Sequence, residues 1–298
     1  MVENHVVGKK SAPPTRSCEQ QSGDEFFVPT SKIWQVDREL VLLLAGGRAL
    51  LMQLAHPKVA AGVAQHSRFQ EDPLGRLYRT MSAMWSIVFD EKSKADASLR
   101  QVEKTHKRVQ GNVPAGEPSQ ARTAYAAFDQ ELLLWVHATL IDTAMVAYNL
   151  FVAPLTPAER QGYYNDSKKL AALFGIHERN IPQSVELFDS YMTGILASGG
   201  IQVGPTAKNL ARHVLFPRPC LLKPAGPIFR FVTAGLLPEQ LREGYGLPWN
   251  VRREKRLLFL AKTIRWLLPC APALLRIVPN ARKAEKLRRR RLARATRS

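Results

Sequence analysis

The stretch GGRALLMQLAHPKVAAGVAQHSRFQEDPLGRLYRT, residues 46–80, decides the fold that the sequence predicts. Its small and apolar residues recur at helical spacing, and Pro57 and Pro73 stand where prolines open helices. The pair Gly46-Gly47 either kinks the first helix or lets another part of the chain approach it closely. The stretch therefore predicts successive, closely packed helices.

The end of this stretch carries a polar group of three residues. Arg76, Arg79 and Thr80 are spaced at i, i+3 and i+4, so a helix displays all three on one face. Two guanidinium groups and a hydroxyl favour an anion, and the aliphatic neighbours predict that this face is partly buried. The alternative interpretation is a pair of surface arginines.

The rest of the chain also predicts helices. One helix is expected from Asp37, as its N-cap, to about Ala55, and a longer one from Tyr125 to Val152. The longer segment reaches membrane-spanning length, but polar residues, including His137, interrupt it, which favours a buried core helix. Strand signals are scarce, so the predicted class is all-α.

A single multi-helix domain with a buried pocket between its helices is predicted over residues 31–278. Residues 1–30 are expected to form a disordered lead-in, and residues 279–298 a basic C-terminal tail. Three widely spaced cysteines favour neither a disulfide framework nor a zinc site, and no secretion signal is evident. A cytoplasmic protein is expected.

The positive charge is concentrated at one end. From Trp249 onward there are sixteen lysines and arginines and two glutamates, giving +14 of the total net charge of +18. The main body is nearly neutral and lacks nucleic-acid-binding motifs, so nucleic acid is not an expected partner. The arginine-rich tail is interpreted as a solvated segment or as an attachment to an anionic membrane, which would make the protein peripheral to that membrane.

Several enzyme classes lack their motifs. The sequence contains no GxSxG elbow, Walker loop, GxGxxG fingerprint or HExxH motif. Each of four histidines lies on or beside a predicted helix with an apolar side, which suits an axial ligand to haem iron, although any one of them could equally be a core or surface residue. They are His56, His66, His106 and His137. The nearby arginine pair suits the two haem propionates.

A more extended pattern resembles a known family. The chain is similar, from about Val36 to Trp249, to the oxygenase family that contains rubber oxygenase (latex clearing protein) and the fungal MpaB oxygenase. The segments that carry the resemblance are Gly46–Pro57, Ala61–Ser67, Asp72–Thr80, His106–Gly111, Trp135–Leu140, Leu236–Pro238, Leu241-Arg242 and Tyr245–Leu247.

The resemblance implies an all-helical fold with haem b that uses O2 to cleave a carbon–carbon double bond in an isoprenoid chain. It implies that His106, in the motif His-x-x-Val-x-Gly, is the proximal iron ligand and that Arg76, Arg79 and Thr80 lie on the distal side. Arg79 replaces a lysine of the family motif, and arginine stays protonated and does not readily ligate iron. The segment 58–65 lacks an acidic residue that the family uses as a base, so this role is absent or has moved, with His66 as the candidate.

The residues alone and the resemblance favour different iron ligands. His137 has the more apolar surroundings, whereas His106 has Lys104, Lys107 and Arg108 nearby. The motif favours His106, and these charged neighbours are expected on other faces of its helix. The sequence therefore predicts a haem b oxygenase for a hydrophobic, isoprenoid or lipid-like substrate. Two alternatives are a non-catalytic carrier of haem or lipid and a membrane-surface structural protein.

Overall fold

The computed structural model describes residues 24–67, 73–118, 123–216 and 226–295, and within them the predicted all-α class is confirmed. The first seven helices are α1 (Lys32–Asp37), α2 (Gly46–Leu54), α3 (Pro57–His66), α4 (Pro73–Phe89), α5 (Lys92–His106), α6 (Gln130–Phe151) and α7 (Pro157–Leu173). The next seven are α8 (Val185–Ala197), α9 (Pro205–Leu215), α10 (Gly226–Leu236), α11 (Glu239–Gly244), α12 (Val251–Leu267), α13 (Ala273–Arg276) and α14 (Pro279–Ala295).

A small antiparallel hairpin interrupts the helices. Strand β1 (Gln110–Asn112) pairs with β2 (Ala124–Ala126), and Gly111 lies opposite Tyr125. The sequence predicted no strand in either segment, and it started the long helix at Tyr125, inside β2. Strands of three residues are too short to show a period of two, which explains why they were missed.

Helix α6 is the central helix of the fold. It packs against α2, α7 and α12, and its buried side chains include Trp135 and Phe151, both fully enclosed. By length and composition α6 could cross a membrane, as could residues 40–54 together with α3 if their 105° bend lay within one span. The core helix of a soluble protein meets the same criterion, and 56% of the apolar window of α6 is buried by the rest of the chain. These contacts support the core-helix interpretation.

The predicted helix from Asp37 to Ala55 is broken in the structure. Asp37 ends α1, residues 40–45 form a 3-10 helix, and α2 starts at Gly46. The break places Glu39, only 3% exposed, against the Arg276 guanidinium, which donates hydrogen bonds to both carboxylate oxygens at 3.0 and 3.1 Å. A buried carboxylate needs such a partner, so this pairing opposes a continuous helix here.

The glycine pair at the start of α2 permits the close approach that the sequence suggested. A Cβ atom on Gly47 would lie 2.1 Å from Thr233 Oγ1 and 2.8 Å from the Phe229 ring of α10. Any side chain at Gly47 would therefore push α10 away from α2. The small residue sets the distance between these two helices.

Both chain ends differ from the expected solvated segments. The sequence assigned residues 24–30 to a disordered lead-in, but the structure describes them, and Phe27 lies in the core with 3% of its surface exposed. Residues 1–23 of the predicted lead-in lie outside the described part. Residues 279–295 form α14, which packs against α4 and buries Ala281 and Ala284. Small apolar residues at i and i+3 on one side of a very basic helix explain how it docks.

Helix α1 is held by buried carboxyl groups. The Asp166 carboxylate of α7 accepts hydrogen bonds from the backbone N–H groups of Lys32 at 2.8 Å and Ile33 at 3.2 Å, a favourable arrangement at a helix N-terminus. At the other end, the buried Tyr163 hydroxyl donates to Asp37 Oδ1 at 3.0 Å. Burial raises the pKa of Asp37 to about 7, although the hydrogen bond from Tyr163 opposes this shift.

We expect Asp37→Asn to stabilise the protein in a pH-dependent way. Because the folded pKa of Asp37 is raised, the folded state holds a proton between about pH 4 and 7 that the unfolded state has released, and stability declines as pH rises through this window. Asparagine keeps the acceptor for Tyr163 without the charge. Urea unfolding should show a gain of about 1 to 2 kcal/mol at pH 8 and almost none near pH 4. A gain that is equal at both pH values would contradict a raised pKa.

Candidate functional site

Helices α4 and α5 carry most of the predicted site residues. Only Asp90 and Glu91 join the two helices, which pack along each other. A short connection between packed helices is typical of an antiparallel pair. That arrangement would bring the end of α5, with His106, towards the beginning of α4.

His106 lies on the face of α5 that is turned towards the rest of the protein. Ala95, Leu99, Val102 and His106 recur every three to four residues, and all are at least partly buried. The charged neighbours of His106 at 104, 107 and 108 are exposed, as the sequence predicted. The imidazole packs edge-to-face on the Phe128 ring, with centroids 6.0 Å apart.

The motif His-x-x-Val-x-Gly has a structural explanation. Val109 leaves α5 and packs on α3, and its side chain lies 3.4 Å from where a Cβ on Gly62 would be. Gly111 then enters strand β1, which packs against α3. The valine and the glycine thus attach the end of α5 to α3 and fix the position of His106.

Gly111 lies where there is no room for a side chain. A Cβ atom there would be 2.8 Å from both Gln65 Oε1 and the Tyr125 hydroxyl oxygen. These two atoms form a hydrogen bond, in which Tyr125 donates to Gln65 Oε1 at 2.8 Å, and Gln65 Nε2 donates to the Asn112 carbonyl at 3.0 Å. The close approach of β1 to α3 therefore requires glycine.

His66 takes part in the same attachment. Its Nε2 lies 2.9 Å from the Gln110 carbonyl oxygen, so this nitrogen must carry the proton and donate it. The ring also meets Tyr125 edge-to-face, with centroids 6.4 Å apart. His66 is exposed and links the end of α3 to β1, which leaves only Nδ1 available to act as a base.

Arg79 and Thr80 on α4 are more exposed than the sequence predicted. Both side chains are exposed, whereas residues 84–89 of the same helix are buried. The expectation that this face is partly buried is therefore wrong for these two side chains. Arg76 lies on the same helix, and its side chain is outside the described part.

His56 and His137 have roles within the protein interior. His56 caps α3, because its Nδ1 accepts a hydrogen bond from the Lys58 backbone N–H at 3.3 Å, and its Nε2 is 4.0 Å from Glu131 Oε1. Burial lowers its pKa, with Glu131 opposing this shift. His137 faces α7, and burial lowers its pKa to about 4, although a hydrogen bond to the Ser167 backbone opposes this. Neither residue belongs to the α4–α5 hairpin.

A separate cleft of about 530 Å³ lies between α11 and α12. It is lined by charged residues and by Trp249, and none of the predicted haem residues lies in it. A mixed charged lining is unlike the mostly apolar walls of a haem or isoprenoid site. The cleft therefore does not support the predicted site.

Comparison with known proteins decides the family. A family model described as "ER-bound oxygenase mpaB/B'/Rubber oxygenase, catalytic domain" matches residues 33–266. The chain belongs to this family. The matched region of the mpaB/rubber oxygenase family includes the whole α4–α5 hairpin and its attachment to α3, and it confirms the resemblance found in the sequence.

Two mycobacterial proteins are also similar to the chain. Both are named uncharacterized proteins, one from Mycobacterium bovis and one from Mycobacterium tuberculosis. Each is 27% identical over 224 residues, covering 72% of this chain and 84% of the relative. No solved structure matches the chain.

We expect Gly111→Ala to destabilise the attachment of β1 to α3. The new methyl group must displace Tyr125 or Gln65 and break their hydrogen bond, at a cost of about 1 to 2 kcal/mol. Urea unfolding measures the loss. Gly194→Ala in α8 is the control, because nothing lies within 4 Å of the added Cβ and alanine favours a helix. Equal stability of Gly111→Ala and wild type would show that the contact adapts without cost.

Proposed function

We propose that this member of the mpaB/rubber oxygenase family is a haem b-dependent oxygenase that cleaves a carbon–carbon double bond in a hydrophobic, isoprenoid or lipid-like substrate with O2. The main support is the position of His106. It is partly buried at the end of α5, and α5 packs against α4, the helix that bears Arg76, Arg79 and Thr80.

The available side chains fit haem better than a protein-bound metal ion. Among the described residues no group of three or more histidines, cysteines, aspartates or glutamates is placed to hold a metal ion. A non-haem iron site needs such a group, whereas haem supplies its own equatorial ligands and needs only an axial side chain. His106 would provide this imidazole, and Arg76 would pair with a propionate. Bound haem would supply the oxidation chemistry with O2.

The residues of α4 would act on the distal side. A guanidinium group such as that of Arg79 does not readily coordinate iron, unlike the lysine that the family motif has here. The side chains of Arg79 and Thr80 would instead donate hydrogen bonds to negative charge that develops on oxygen during the reaction. This arrangement would leave the distal position accessible to O2 in the resting protein.

The source of a catalytic base differs from the family pattern. Helix α3 has no carboxylate between Lys58 and Gln65. His66 at the end of α3 is the candidate replacement, and only its Nδ1 would be available because Nε2 faces the Gln110 carbonyl. An imidazole with one nitrogen fixed in this way has a defined orientation for accepting a proton.

A non-catalytic haem or lipid carrier is the second candidate function. It is favoured by the exposure of Arg79 and Thr80 and by the absence of a carboxylate from α3. A carrier needs an axial ligand and an apolar pocket but no preorganised distal donors. An oxygenase would therefore require the hydrogen-bond donors of Arg79 and Thr80, whereas a carrier would not.

We expect haem binding to depend on His106 rather than His137. Haemin titration, followed by the Soret absorption, should show a loss of affinity of at least about tenfold in His106→Ala, equivalent to about 1.4 kcal/mol. His137→Gln is the control, because it should weaken the core by a few kcal/mol while the remaining folded protein still binds haem. The reverse pattern would assign the ligand to His137. A wild-type protein that binds no haemin would overturn both haem functions.

Arg79→Met and Thr80→Val distinguish the oxygenase from the carrier. Both variants keep much of the side-chain volume but remove the donors, so the Soret band should be nearly unchanged. In an oxygenase, O2 consumption with a polyisoprenoid or unsaturated lipid should fall by on the order of tenfold or more, about 1.4 kcal/mol of barrier. If wild type and variants consume O2 at the same rate, the distal assignment is wrong. If haem-loaded wild type consumes none with these substrates, the carrier function replaces the oxygenase.

A further inference from the structure

One side of α12 presents aromatic residues to solvent. Leu257 and Ala261 lie on its inner side, packed against α6 and α10. On the opposite side, Phe259 is 73% exposed and Trp266 is 76% exposed. Side chains of this size usually bury most of their surface, so their exposure calls for an explanation.

Phe259 and Trp266 lie on one line along the helix. They are seven residues apart, close to two helical turns, so their side chains point in nearly the same direction about 10 Å apart. Other exposed apolar residues lie on α12 or on the short helix α13 that comes after it. They are Leu258 (51%) and Leu267 (50%) on α12, and Leu274 (64%) and Leu275 (65%) on α13.

Four exposed cations flank the aromatic line. By helical geometry, Lys255 and Lys262 lie on one side of it, and Arg252 and Arg256 lie on the other. None of these four side chains forms an ion pair with another residue in the described part of the chain. The carboxylate on this helix, Glu254, accepts a hydrogen bond from the Trp249 indole at 2.7 Å. Together, the aromatic line and the four cations form the α12 outer face.

We propose that the α12 outer face docks on an anionic lipid bilayer. Tryptophan and phenylalanine favour the boundary between head groups and acyl chains, where they leave water without entering the hydrocarbon centre. Lysine and arginine side chains at this depth extend outward to the lipid phosphates. The helix lies in the plane of the membrane while its inner side remains packed on the protein.

The charge pattern favours α12 as the site of membrane attachment over the C-terminal tail, which the sequence predicted. In α14, Arg288 pairs with Glu25, and Arg291 pairs with Glu91 at 2.6 Å. These contacts satisfy part of the tail charge within the protein, and α14 packs its small residues against α4. The α12 outer face has both exposed aromatic residues and unpaired cations, whereas the tail contributes mainly long-range attraction.

Binding of the full-length protein to sedimented vesicles tests this proposal. The vesicles contain phosphatidylcholine and phosphatidylglycerol in equal parts, or phosphatidylcholine alone. Wild type should bind the anionic vesicles more tightly and lose affinity as salt increases. The double variant Phe259→Ser/Trp266→Ser should lose at least about tenfold in affinity, equivalent to about 1.4 kcal/mol, with an unchanged Tm because both side chains are exposed.

Two matched controls separate this face from general effects. Leu187→Ser removes an apolar side chain of α8 that is 54% exposed, and it should leave binding unchanged. Lys255→Gln/Lys262→Gln and Arg289→Gln/Arg290→Gln each remove two exposed positive charges, and the α12 pair should lose more affinity than the tail pair. Because both pairs of substitutions remove the same charge, a difference in vesicle affinity between them reports the position of the charge.

Three results would overturn the proposal. The first is equal vesicle binding by wild type and Phe259→Ser/Trp266→Ser, and the second is an equal or larger loss in the tail pair than in the α12 pair. The third is a wild-type protein that binds no anionic vesicles. In this third case sedimentation velocity tests whether a second copy of the chain covers the α12 outer face instead. A wild-type dimer that becomes monomeric in Phe259→Ser/Trp266→Ser would assign the face to this second copy.

Discussion

The buried guanidinium group of Arg48 connects the three helices that form the centre of the fold. Arg48 is 5% exposed, and it donates hydrogen bonds to the Leu236 carbonyl at 2.7 Å, Thr143 Oγ1 at 2.6 Å and Asp142 Oδ2 at 2.5 Å. Removing the charge from water costs several kcal/mol, so the pair with Asp142 need not add much net stability. Its effect is on specificity, because these three hydrogen bonds form together only when α2, α6 and α10 are arranged in this way.

This constraint predicts that the start of α2 tolerates little change. Gly47 must be small for α10 to approach, and Arg48 beside it must reach the end of that helix. Further along, the Tyr245 hydroxyl donates to the Leu51 carbonyl at 2.7 Å, so the segment after α11 is fixed to the same helix. A helix held on several sides provides a rigid base for α3, which follows it directly and supports the hairpin of the site.

Sequence patterns predicted the elements but not the points where buried polar groups redirect the chain. Helices with a proline at the first turn were located well, as α3 and α4 show, because proline acts locally. The break before α2 depends on Arg276 meeting Glu39, more than two hundred residues away, and no local pattern contains that information. The same limit applies to the histidines. Apolar neighbours correctly indicated that His137 is buried, but burial does not distinguish a residue hydrogen-bonded within the core from an iron ligand.

Different contacts fix the two helices of the α4–α5 hairpin. Residues 84–89 of α4 belong to the core, and Trp34 meets Phe89 edge-to-face with centroids 4.9 Å apart. Earlier on the same helix, Arg79 and Thr80 are exposed. At the other end of the hairpin, Val109 packs on α3 and Gly111 lets β1 approach it closely. The position of His106 is therefore fixed by α3 through the residues that follow it, whereas α4 is fixed by the core at the opposite end of the hairpin.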